Sequence, residues 1–143
     1  MSADRRLLDS IRSVLERHPE VRLALLFGSR ARGADGPEAD LDLAVELFRG
    51  EELDRLGLMA ELRAATGLET DVVDVTPGRC LGYPLLNALN RDGIAVHAAE
   101  RHAEAEFRTR ALLQLSLDRT WYERMRNAYL DRLAAETEEA ADG

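Results

Sequence analysis

Hydrophobic and polar positions along the chain switch between two periods, and the switches predict its elements. Over 4–17, Leu7, Leu8, Ile11, Val14 and Leu15 recur at helical spacing. His18-Pro19 stops that helix, because a proline disfavours helical geometry in the residue before it. Val21 to Phe27 is a short apolar run with one charge near its start, as suits a buried strand. Gly33, Gly36 and Pro37 predict a turn. Leu41, Leu43, Val45 and Leu47 then alternate with Asp40, Asp42, Ala44 and Glu46, the period of a strand. Helical spacing returns over 51–65 through Leu53, Leu56, Met59, Ala60 and Leu62, closed by Gly67. Glu69 to Val75 reads as a third strand ending at Thr76-Pro77-Gly78, and Leu81 to Leu89 as a short helix with Pro84 in its first turn. After Asp92-Gly93, Ile94 to His97 forms a fourth strand.

Helix, strand, turn, strand, helix, strand, helix, strand is the order of an α/β or α+β layer structure. Without repeat or linker, 1–143 is expected to be a single domain with a core over about 5–97 and a helical extension over about 100–137. No glycine or proline interrupts Ile94 to Asp142. A continuous helix over 100–136 would run ~55 Å, so it either breaks once or overhangs the core. Phe107, Leu112, Leu115, Trp121, Tyr122, Met125, Tyr129 and Leu133 cover more than one face of it. About two-thirds of them are expected to pack on the sheet, leaving the rest for a partner. The acidic end, Glu136 to Asp142, is expected to fray.

Composition narrows the chemistry. Hydrophobic content of 45% and charged content of 32% describe a globular protein. With no apolar run of ~20 residues and no signal-peptide pattern, no membrane role and a cytoplasmic location are expected. A net charge of −8 argues against direct nucleic-acid binding. The single cysteine, Cys80, excludes an internal disulfide and reads as a half-buried apolar side chain. All 19 basic residues are arginine. Walker-A, protein-kinase and Schiff-base chemistry, which need a lysine amine, are thereby excluded.

The informative stretch is Gly28-Ser29, ten residues, then Asp40-Leu41-Asp42. Two residues apart on a strand, Asp40 and Asp42 leave one face ~6.5–7 Å apart along the chain. There they can converge on one or two Mg²⁺ ions, which favour oxygen ligands and retain substrate phosphate in their shell. Gly28 lacks a Cβ, so phosphate or backbone can approach it, and Ser29 adds a hydroxyl at a potential helix start. A nucleotide triphosphate would lie there. Arg30 and Arg32 read either as its helpers or as solvated surface residues. The third carboxylate is expected from the next strand, where Asp71 and Asp74 fall on opposite faces. Asp71 is favoured, since Asp74 abuts the Thr76-Pro77 turn and suits a cap.

On Gly28, Ser29, Asp40, Asp42 and Asp71, the chain resembles the minimal nucleotidyltransferases (MNT) of the DNA polymerase β-like superfamily, over about residues 5–97. Val72 to Val75 and Arg91-Asp92-Gly93-Ile94 share in the likeness, which is greatest to the MNT antitoxins paired with HEPN-domain ribonuclease toxins. The resemblance implies a nucleotidyltransferase fold with a small mixed sheet and a long C-terminal helix. It further implies Mg²⁺-dependent transfer of AMP from ATP to a toxin hydroxyl, probable acceptor tyrosine, in a hetero-oligomer that uses the C-terminal helix among other surfaces. Asp40, Asp42 and Asp71 would hold metal, and Asp71 would help deprotonate the acceptor. One departure is Glu38-Ala39-Asp40, where many relatives carry a serine before the first aspartate.

HEPN toxins carry Arg-x4–6-His. Arg12 to His18 and Arg91 to His97 fit the spacing but lack the helical setting, and both read as chance. His102, at the start of the tail helix, reads as solvated. Two other functions fit the sequence: a binding module that neutralises a toxin by contact alone, and a transferase acting on an antibiotic, for which little chain remains to build a substrate domain.

Overall fold

A computed structural model describes residues 5–33, 40–79 and 81–142. Gly36 and Pro37 of the expected turn, Glu38-Ala39 and Cys80 lie outside the described residues. In chain order the elements are α1 (Arg5–Leu15), β1 (Val21–Phe27), α2 (Gly28–Ala31), β2 (Leu41–Leu47), α3 (Arg55–Thr66), β3 (Thr70–Asp74), α4 (Tyr83–Asp92), β4 (Ile94–Ala98) and α5 (Ala103–Asp142). Pro84 sits in the first turn of α4, and Gly67 closes α3 in the left-handed conformation, each where its backbone preference suits it.

The strands form a mixed sheet in the order β3-β2-β1-β4. β1 runs antiparallel to β2 and β4, whereas β2 and β3 are parallel. Consequently the C-terminal end of β1 and the N-terminal ends of β2 and β3 meet at one side of the sheet.

Both faces are covered. Ile11, Val14 and Leu15 of α1 and Leu58 and Leu62 of α3 pack with Leu41, Leu43 and Val45 on one. Leu86 and Leu89 of α4 and Ala103, Phe107, Ala111 and Leu115 of α5 pack with Leu23, Leu25 and Ala44 on the other. Central strand β2 is therefore buried from both sides, and its Glu46 is only 2% exposed. That carboxylate is satisfied by Arg22, whose Nη1 lies 2.6 Å from Oε2, and by Arg110 of α5. Arg22 in turn reaches Glu100 and Glu106, so one ionic network ties β1 and β2 to α5.

α5 resolves the question of the tail. It is one unbroken helix of 40 residues, ~60 Å long, and it overhangs the sheet. The helix continues through the acidic end to Asp142, where Ala and Glu are strong helix formers. Its buried residues recur every four positions from Ala103 to Leu115 and then cease. Only Phe107 and Leu115 of the eight apolar residues pack on the sheet, not two-thirds of them, because the helix leaves the core after Leu115. Leu112, Trp121, Tyr122, Met125, Tyr129 and Leu133 are all exposed, although Tyr122 stacks on Tyr83 at 5.3 Å.

Candidate active site

β1 delivers the chain to the side of the sheet where β2 begins, with Phe27 opposite Asp42. Gly28 follows at φ +74°, a conformation that side chains rarely adopt, and opens the four-residue α2. A Cβ on Gly28 would lie 2.4 Å from Asp42 Oδ2. The room left by the missing side chain is thus occupied by the carboxylate itself, holding Asp42 against the start of α2 and Ser29.

Across the parallel pair, Asp42 is in register with Asp71. Asp40 sits just before β2 and is exposed. Burial first, and then the charges of Asp71 and Asp40, push the Asp42 carboxyl above its ordinary value, with Arg32 opposing. Among the described residues Asp42 accepts no hydrogen bond and joins no ion pair. Asp71 differs: its Oδ1 pairs with Arg55 Nη2 at 2.7 Å, while Arg55 Nε donates to the Val72 carbonyl at 2.6 Å. Among the described residues no three carboxylate, imidazole or thiol groups already converge as a metal site.

Asp74 lies towards the other end of β3. Its Oδ1 accepts from the Thr76 N–H at 2.9 Å and hydroxyl at 2.5 Å, and Oδ2 pairs with Arg79 at 3.3 Å. It shapes the turn. The arginines after Ser29 separate: Arg32 is exposed, but Arg30 is only 7% exposed, which overturns its reading as a solvated surface residue. The short α2 turns Arg30 inward. Neither Arg-x4–6-His spacing forms a site. Arg12 lies on α1, whereas His18 is clamped between Glu20 and Glu61. Arg91 pairs with Asp92 on α4, while His97 lies on β4. His102 is exposed just before α5.

Sequence reasoning passed over Arg55. Its one signal was position: a cation in the first turn of a helix, against the helix dipole, in a turn with no acid.

The family model for polymerase beta nucleotidyltransferases matches residues 9–81, just over half of the chain. The chain belongs to this nucleotidyltransferase family. The matched span holds Gly28, Ser29, Asp40, Asp42 and Asp71. No curated protein sequence matches. Among solved structures, a toxin–antitoxin complex with AMP-PNP matches at 20% identity and TM-score 0.71, covering 86% of this chain and 98% of that one. The toxin–antitoxin MntA-HepT matches at 18% and 0.68, covering 89% and 99%. A tri-AMPylated Shewanella oneidensis HEPN toxin in complex with MNT antitoxin matches at 20% and 0.66, covering 87% and 96%. At these identities the likeness establishes the nucleotidyltransferase fold, which extends over the long C-terminal helix.

Proposed function

We propose that this nucleotidyltransferase is an antitoxin that transfers AMP from ATP to a tyrosine hydroxyl of a cognate HEPN ribonuclease toxin and so neutralises it. The observation that carries the reading is Asp42, in register with Asp71, beside Asp40, and seated against Gly28 with no ion pair among the described residues. The complexes of similar fold, one with AMP-PNP and one with a tri-AMPylated HEPN toxin, support the donor and the partner.

The donor set fits magnesium: oxygen ligands only, with Asp42 raised first by burial and then by the neighbouring charges of Asp71 and Asp40, which a hard cation would offset. Asp40 and Asp42 would hold it, with Asp71 completing the set. Held by these carboxylates, Mg²⁺ would supply charge neutralisation and Lewis-acid activation of the nucleotide. Gly28 and Ser29 place backbone N–H groups and a hydroxyl beside the phosphates. The tyrosine oxygen forms a bond to the α-phosphorus as the bond to the bridging oxygen breaks and pyrophosphate leaves. Asp71 accepts the phenolic proton. Positioning and electrostatics supply most of the rate.

The overhanging half of α5 is the toxin-binding surface in this reading. Leu113, Leu117, Trp121 and Met125 are exposed along it, and its base borders an apolar groove of ≈ 590 Å³ that also includes Leu81, Leu86 and Phe107. That groove lies by Val75, at the opposite end of β3 from Asp71, so partner and phosphates do not compete for space.

The test is incubation with Mg²⁺, labelled ATP and the co-encoded HEPN protein. Label on a toxin tyrosine, lost in Asp42→Asn, supports transfer. Neutralisation that survives Asp42→Asn would instead assign the protein to contact-only antitoxins.

A further inference from the structure

The three carboxylates at the sheet edge carry their charge in different ways. Asp40 and Asp42 have no bonded cation among the described residues, whereas Asp71 is held by Arg55. Arg55 is poorly placed for the helix that bears it. It is the first residue of α3, immediately after the cap Asp54, where the positive end of the helix dipole disfavours a cation. Its guanidinium instead reaches across to β3, the edge strand, and its planar fork spans two successive residues. Nε is anchored on the Val72 carbonyl, leaving Nη2 to hold the Asp71 carboxylate. Both side chains are half exposed or more, at 50% and 62%, so the charged contact can exchange while the backbone anchor stays.

We propose that Arg55 is a counter-ion latch on Asp71: in the cation-free centre its guanidinium occupies the charge that a divalent metal takes, and metal must displace it to engage Asp71. The inference rests on the metal-dependent reading above. It assigns Arg55 a positioning role, acting through Asp71 and not on the reacting atoms. By occupying the Asp71 carboxylate the guanidinium competes with a divalent cation for it, and removing that competitor strengthens cation binding by roughly three- to tenfold.

The experiment is a Mn²⁺ titration followed by electron paramagnetic resonance, without nucleotide, on the full chain and on Arg55→Gln, Asp71→Asn and the double variant. Thermal unfolding checks that each is folded. Arg55→Gln is expected to bind Mn²⁺ more tightly and Asp71→Asn more weakly. Arg55→Gln is expected to have no effect once Asp71 is replaced, because the pair acts as a unit. Arg55→Lys, which keeps charge but loses the fork, falls between. Unchanged or weaker Mn²⁺ binding by Arg55→Gln overturns the latch, as does an equal effect in the Asp71→Asn background. If AMP transfer persists alongside such a result, only the latch falls. If transfer is absent and Mn²⁺ binding is indifferent to Asp42→Asn, the functional reading falls with it.

Discussion

Asp42 and Glu46 stand on the same face of one strand, four residues apart, and the protein treats their charges in opposite ways. Glu46 is almost wholly buried and sandwiched by Arg22 and Arg110. Asp42, beside Asp40 and Asp71, is left with its carboxyl raised and no bonded counter-ion among the described residues. A buried acid that the fold itself neutralises serves structure. One kept beside like charges, at a glycine that makes room for it, is a site prepared for a charge from outside.

The largest effect that tests this contrast is on catalysis. On the proposed reading, Asp42→Asn is expected to lower AMP transfer by about a thousandfold, because it removes a carboxylate that would hold the cation. Without added cation the same substitution is expected to stabilise the fold. A raised carboxyl binds its proton more tightly when folded, so its charge weakens the native state increasingly as pH rises through the folded value. Thermal melts of the two proteins in chelator should therefore converge as pH falls. A lower melting temperature for Asp42→Asn at neutral pH would erase the distinction from Glu46.

Glu46→Ala should do the reverse, costing about 3 kcal/mol of stability in urea unfolding by leaving Arg22 and Arg110 without their shared acid. Residual folded protein should still bind Mn²⁺. Next in size, Trp121→Ala with Met125→Ala is expected to weaken toxin binding by roughly tenfold in calorimetry. The melting temperature should hardly move, since neither residue is buried.

The smallest effect concerns His18. Partial burial disfavours its charge, but hydrogen bonds and charge from Glu20 and Glu61 outweigh this and raise its pKa. The resulting stability is full below the unfolded value of about 6.5 and is lost as pH rises through the folded one. With Glu61 39% exposed, His18→Gln should cost only about 0.5 kcal/mol at pH 6, shrinking towards pH 9.

The fold was legible because its elements carry strong periods and clear punctuation, such as Pro19, Gly67 and Pro84. Asp40 and Asp42 stood out as candidates by their two-residue spacing, but β2 starts only at Leu41, so Asp40 lies just outside the strand on which that spacing was read. Register was harder: that Asp71 lies beside Asp42 depends on how β2 and β3 pair, and its preference over Asp74 rested on the nearby turn. What sequence could not convey was side-chain direction across elements. Glu46 reads as an ordinary polar partner in an alternating strand until α5 brings Arg110 over it. Arg55 and Arg30 likewise depend on contacts made far from, or inward of, their own helices.

The unsupported reach of α5 carries a cost for the isolated chain. Past Leu115 the helix buries no described side chain, and Tyr122 stacked on Tyr83 is its one ring contact with the rest of the described molecule. Synthesised ahead of whatever covers it, the chain would present Trp121, Met125 and Leu130 to every neighbour, making it prone to clump and easy for proteases to trim. On the proposed reading, keeping that surface covered would require the toxin to be supplied in step with the chain.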